Sequence, residues 1–140
     1  MLFPKKVKFR KWHKGRKNLE GSKETRGVGI SFGSFGLKSL STARIKSNQI
    51  ESARRAMVRH LGKTGRMWIR IFPDRPFTRK PAEVPMGKGK GDPAGYEVQV
   101  KPGRVIFEVD GVTDAVAKEA LRKAGTKLPI KTRVASRNHA

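Results

Sequence analysis

Between Met86 and Gly91 the sequence reads Met86-Gly87-Lys88-Gly89-Lys90-Gly91, an alternation of glycine with a compact cation. Glycine lets a backbone approach a ligand closely and adopt positive φ, and the lysines put ammonium groups at the tip. Pro85 and Pro93 stiffen the flanks. The pattern suits a probing loop that touches a nucleic-acid backbone; its plainer reading is a flexible basic linker. A second set of cations opens the chain: Lys5, Lys6, Lys8, Arg10, Lys11, Lys14 and Arg16, interleaved with Val7, Phe9, Trp12 and His13. Cations bind phosphate, while rings and guanidinium planes stack on unpaired bases. Phe9 is expected in the core, and the cations, at this density, on RNA. The third set is Arg54, Arg55 and Arg59 on an expected helix, where Glu51 alone lies near enough to pair with them. The guanidinium fork matches phosphate geometry, so this face is also expected on phosphate.

Catalysis has no comparable support. His13, His60 and His139 are scattered and show no metal-ligand spacing. There is no cysteine, so thiolate chemistry and disulfides are excluded. The 11 acids are dispersed along the chain, which leaves no paired carboxylates for acid–base work. Gly33-Ser34-Phe35-Gly36-Leu37-Lys38-Ser39 superficially resembles a phosphate-binding loop but lacks the GxxxxGK[ST] spacing. The expectation is a protein that is not an enzyme, with no cofactor, no metal and no small-molecule substrate.

The charge balance says what such a chain needs. It has 33 Lys and Arg against 11 Asp and Glu, a formal net charge of +22 on 140 residues. Such an excess destabilises a compact state by self-repulsion, unless a polyanion neutralises it and releases condensed counterions. Composition alone also allows a DNA-compacting protein, but a substantial core and a single Gly-Lys loop are more than a charge-only binder needs. No apolar run approaches a membrane span, and no membrane partner is expected. Met1-Leu2-Phe3-Pro4 leads into charges rather than an apolar stretch, so the chain is expected to act where it is made.

Several elements must position these groups. Val7-Lys8-Phe9-Arg10 alternates and suits a short strand, and so do Val28, Ile30 and Phe32 within the Gly-rich stretch from Gly27 to Leu40. A helix is expected from Asn48 to Leu61, with Asn48 as its cap and Glu51 completing a capping box. Ile50, Ala53, Met57 and Leu61 form its apolar face, and Gly62 its stop signal. Met67–Phe72 alternates as a strand that Pro73 ends. Residues 73–95, with five prolines, are expected to be a long loop excursion. Tyr96–Val100 and Arg104–Val109 are expected to pair as a hairpin around Lys101-Pro102-Gly103. Thr113 should cap a second helix, Asp114–Ala124, stopped by Gly125, with Leu128–Val134 as a last strand. The expected product is an α+β fold: a two-layer sandwich with two helices packed on a mixed β-sheet. Its parts would be a basic arm and loop (1–26), a single α+β domain (27–134) and a polar tail (135–140).

The residues also carry a family resemblance. Pro4-Lys5-Lys6-Val7-Lys8-Phe9-Arg10-Lys11 with His13-Lys14-Gly15-Arg16 resembles the N-terminal arm of the bacterial-type large-subunit ribosomal protein L-sixteen family. The resemblance continues through Ser31–Lys38, Gln49–Glu51, Ala53–Met57, Trp68–Asp74, Met86–Gly91, Asp110–Val112 and Lys127–Thr132, collinear over nearly the whole chain. It implies a constituent of the large ribosomal subunit that binds large-subunit rRNA near the peptidyl-transferase centre. It also implies contact with A-site tRNA (P-site tRNA as a second candidate), with neighbouring ribosomal proteins as further partners. Support for translation and late subunit assembly follows, in a cytoplasmic or organelle-encoded ribosome. Carried over residue by residue, Lys5, Lys6, Lys8, Arg10, Lys11, Lys14 and Arg16 become an rRNA arm, with Arg54, Arg55 and Arg59 beside it. Gly87, Lys88, Gly89, Lys90 and Gly91 become the tRNA-proximal loop. Three features depart from the family: a longer stretch at 18–26, Pro85 where many members have arginine, and Glu97 after Tyr96 where relatives often have Trp.

If the arm makes about 6–10 phosphate contacts, affinity for RNA falls by ~10³–10⁵ between 50 and 200 mM salt, by analogy with duplex DNA. A titration of RNA binding against salt checks this; a flat response contradicts the electrostatic reading.

Overall fold

A computed structural model describes residues 1–15 and 21–137. In chain order the elements are β1 (Phe35–Ser39), β2 (Ala43–Lys46), α1 (Ser47–Leu61), β3 (Arg66–Ile69), β4 (Arg75–Arg79), β5 (Asp92–Val100), β6 (Val105–Asp110), α2 (Asp114–Gly125) and β7 (Thr132–Ser136). The strands form two sheets, β3-β6-β1-β7 and β2-β5-β4. Every pairing among them is antiparallel, so the α+β class holds while the expected mixed sheet does not. One apolar core joins both helices to both sheets, with Leu37, Ile45, Met57, Phe107 and Leu121 fully buried.

The helices follow from local pattern. In α1 the predicted stripe Ile50, Ala53, Met57 and Leu61 is the buried face, and the N–H of Gly62 donates to the carbonyl of Val58 to close the last turn. The start differs from expectation: Asn48 lies inside the helix. The N–H of Lys46 donates to Gln49 Oε1 at 2.8 Å, which leaves Glu51 free for other partners. In α2, Ala117, Ala120, Leu121 and Ala124 are buried, but the Thr113 side chain makes no cap bond and Gly125 is not a stop. A Cβ at Gly125 would meet Thr132 Oγ1 at 2.4 Å; glycine is there so that the helix can touch β7.

The sheets depart further from the sequence expectations. β5 and β6 do not form a hairpin with each other. β5 pairs with β2 and β4, while β6 pairs with β1 and β3, so Lys101–Gly103 carries the chain between sheets. That turn is tied to the end of β1: Ser39 Oγ donates to the carbonyl of Lys101 at 2.6 Å and Gly103 N–H to that of Ser39 at 2.9 Å. The excursion 73–95 is largely a β4–β5 hairpin around a loop at 80–91. Its prolines fit because β4 is an edge strand, which tolerates Pro76, and the register shifts between Phe77 and Thr78, where Pro93 is accommodated. Val7–Arg10 and Val28–Phe32 are not strands, β3 ends at Ile69, and the last strand lies at Thr132–Ser136, taking in Ala135 and Ser136 from the expected tail. Arg16 and His139 lie outside the described residues.

What replaces the expected 28–32 strand is a clamp. Glu108 stands opposite both Trp68 and Gly36, on the sheet face away from the helices. Residues 29–34 cross that face, and a Cβ at Gly33 would meet the carbonyl oxygen of Val109 at 2.6 Å. Glu108 Oε1 accepts from the N–H groups of Ser31 (2.9 Å), Phe32 (2.8 Å) and Gly33 (3.0 Å), and Oε2 accepts from the Arg70 guanidinium. Burial, complete at 0% exposure, pushes the carboxyl up, but the Gly33 amide, Arg70 and the Phe32 amide outweigh it and hold the pKa below the ordinary 4.5.

Glu108→Ala strands the Arg70 charge and three amides, and is expected to destabilise the fold by about 3–5 kcal/mol, measured by denaturant unfolding. A depressed carboxylate pKa stabilises fully above its unfolded value and loses that contribution as pH falls. The wild-type protein should therefore lose stability on acidification below about pH 4.5, and Glu108→Gln should flatten that part of the profile.

Candidate nucleic-acid interface

The basic arm is irregular in backbone but fastened at both ends. Near its start, Ser47 Oγ donates to the carbonyl of Leu2. Further along, Arg75 Nη2 donates to the carbonyls of His13 (3.0 Å) and Lys14 (2.8 Å), and Arg44 Nη2 to that of Lys14 at 2.9 Å. The Arg75 guanidinium also sits over the Trp12 ring, 5.8 Å from its centroid. These bonds use main-chain carbonyls of the arm and leave its own cations outward: Lys5, Lys6, Lys8, Arg10 and Lys14 are exposed. Phe9 is 59% exposed rather than in the core, with the Lys8 ammonium 5.5 Å from its ring centroid. Its alternation with cations came from a solvated arm, not from a pleated strand.

Arg44 and Arg75, which hold the arm, are not singled out by the sequence because their partners lie far away in the chain. Arg44 has a second task. Its guanidinium stands 3.7 Å from buried Glu97.

The Gly-Lys loop lies against this arm. Lys11 Nζ donates to the carbonyl of Lys90 at 3.2 Å, and Lys90 Nζ donates back to the carbonyl of Trp12. Arg10 adds a long contact with Asp92 at 3.9 Å, which counts for little because both groups are exposed. The two sets of cations that the sequence separates by most of a domain thus form one surface. Within the loop Gly87, Lys88 and Gly89 take φ of 96°, 60° and 107° in succession. Lys88 is the single non-glycine residue with positive φ among the described residues. A left-handed lysine costs roughly 1–2 kcal/mol; strain of this kind clusters at ligand-binding segments. Residues 81–90 are exposed throughout, and Lys80 Nζ closes the loop base on the carbonyl of Gly87.

The arginine face of α1 is less free than its composition suggests. Glu51 accepts from Arg54 through Nε (3.0 Å) and Nη2 (2.5 Å), and from Arg55 Nε at 3.2 Å. The Arg54 hydrogen bonds pull the Glu51 carboxyl down to about 2 against the opposing effect of burial. Arg59 is exposed and makes no ion pair among the described residues. Of the three, Arg59 is the fully available phosphate ligand, while Arg54 and Arg55 share one counter-charge.

The amide of Gly33, which opens the Gly33–Ser39 motif, and those of Ser31 and Phe32 just before it already hold the Glu108 carboxylate, so they have no room for a phosphate. No group of three potential metal ligands occurs among the described residues. No helix among them is long and apolar enough to cross a membrane.

Residues 4–135 match the family described as ribosomal protein L16p/L10e. The chain is 59% identical over 137 residues to the large ribosomal subunit protein uL16 of Rhodopseudomonas palustris (strain BisB18), covering 98% of both chains. It is 56% identical to the proteins of the same name from Afipia carboxidovorans and Nitrobacter hamburgensis, again over 98% of each chain.

Proposed function

Because the chain belongs to the ribosomal protein L16p/L10e family, we propose that it is a non-enzymatic constituent of the large ribosomal subunit whose arm and Gly-Lys loop form one RNA-facing surface. The observation that carries this reading is the two-way contact of Lys90 with Lys11 and the Trp12 carbonyl, which joins two cationic segments. In this proposal Lys5, Lys6, Lys8, Arg10, Lys11 and Lys14 neutralise rRNA phosphates, helped by Arg59 and, in part, by Arg54 and Arg55. Arg16 falls outside the described residues and is assigned to the arm by resemblance alone. The loop Gly87–Gly91 reaches toward A-site tRNA, with Lys88 at its tip. The surface lies near the peptidyl-transferase centre, and P-site tRNA and neighbouring ribosomal proteins are its other partners.

The mechanism is electrostatic and steric. Guanidinium and ammonium groups displace counterions from RNA, and the folded body holds them at fixed spacing. A left-handed Lys88 between two glycines keeps its ammonium clear of the body and exposes the loop backbone to a phosphate. Lys90 serves differently: its ammonium is spent on the arm, so it acts as a strut.

Two measurements test this. Sedimentation of cell extract should place the protein in large-subunit fractions; finding it free or on chromosomal DNA would overturn the reading. Lys88→Ala should weaken A-site tRNA binding and lower the salt slope by about one, with subunit association intact. Lys90→Ala should also loosen the arm, so association weakens too. If Lys88→Ala abolishes association instead, the loop is an rRNA anchor.

A further inference from the structure

On the far side of the molecule's four-stranded sheet, a group of aromatic residues has no part in the arm or the loop. Phe32 stacks on Trp68 with ring centroids 6.0 Å apart and planes inclined by 21°. The Arg70 guanidinium lies 5.2 Å from the Phe32 centroid. Phe32 is 56% exposed and Phe72, two residues beyond Arg70, is 45% exposed. Large apolar rings left in water cost free energy, and here they are also held rigid. Glu108 fixes the backbone at Phe32 and Gly33 and grips Arg70 from below, and Arg70 Nη1 also reaches the carbonyl of Gly29 at 3.3 Å. The clamp holds an open ring in place over a fixed guanidinium.

We propose that the stacked pair of Phe32 and Trp68 binds an unpaired nucleobase of RNA by stacking. The proposal rests on the RNA-binding reading above and adds a site of a different kind: rings for a base rather than cations for phosphate. Trp68 and Phe72 line an open groove bordered by Arg54, Arg70 and Arg104, with Asp74 its one acid. This rim suits a strand whose base is on the rings and whose backbone passes Arg104. Arg70 and Arg54 are each tied to a glutamate. They therefore offer oriented planes for stacking more than free charge, and Arg104 makes no ion pair among the described residues.

Trp68 supplies the readout. The chain has two tryptophans, so Trp12→Phe leaves Trp68 as the single fluorophore. The full chain with this substitution is titrated with a short single-stranded oligoribonucleotide, and in parallel with an abasic oligomer of the same length. The base-bearing oligomer should quench Trp68 emission, while the abasic one binds without quenching. Adding Phe32→Ala should weaken the base-bearing oligomer by roughly 5- to 150-fold and leave abasic binding unchanged; Phe32→Tyr should restore it. Equal quenching by the abasic oligomer, or bound RNA that leaves Trp68 emission unaltered, overturns the stacking site and spares the RNA-binding reading. Quenching by polyglutamate where RNA gives none overturns it in favour of a protein contact. If neither oligomer binds at all, the RNA-binding reading fails together with it.

Discussion

Glu108 is a charge with no exposed surface, and it can exist there only because donors meet it from two directions. Three successive amides converge on one oxygen and a guanidinium on the other. Without them, burial would neutralise the group or expel it. With them, it fastens residues 29–34 over the sheet, fixes Arg70, and sets where the chain enters β1. Because that segment follows the basic arm, the clamp also decides how the N-terminal part of the molecule joins the core. A buried ion pair is weak evidence for net stability; here it specifies which of several ways a Gly-rich segment could lie on a sheet.

The remaining constraint is the charge itself. A chain with a net charge of +22 repels itself, and the fold answers by spending its few acids locally. Glu51 serves Arg54 and Arg55, Glu97 serves Arg44, Glu108 serves Arg70 and Glu119 serves Arg122. The pairs involve arginines on the structured body. The lysines of the arm and the loop instead donate to main-chain carbonyls or stay in water, which leaves their charge without a carboxylate partner. The division between paired body and lysine-rich rim separates the groups that hold the fold from those that the proposed function assigns to RNA.

Period-based features were legible from the sequence. The buried face of α1 needs only local spacing, and Ile50, Ala53, Met57 and Leu61 are its buried residues as expected. Strand partnership was not legible: Tyr96–Val100 and Arg104–Val109 look like a hairpin until β1 and β2, distant in the chain, take their edges. The clamp left one trace, a lone acid in the run Val105-Ile106-Phe107-Glu108-Val109, but its partners are backbone amides, which carry no residue code. At the candidate site, the exposure of Lys88 and the pairing of Arg54 with Glu51 could be read from spacing alone. The junction of arm and loop could not, because Lys11 and Lys90 meet only through the β4–β5 hairpin. Family resemblance, rather than charge, distinguished ribosomal RNA from any other polyanion.

The central claim is that arm and loop act as one RNA-facing surface. A density map of the assembled large subunit containing this protein tests it most directly. The account predicts Lys11 against Lys90, with the arm's lysines on rRNA phosphates and Lys88 directed toward the tRNA-binding cleft. An arm that runs away from the loop, or a Gly-Lys loop buried against protein, would contradict it.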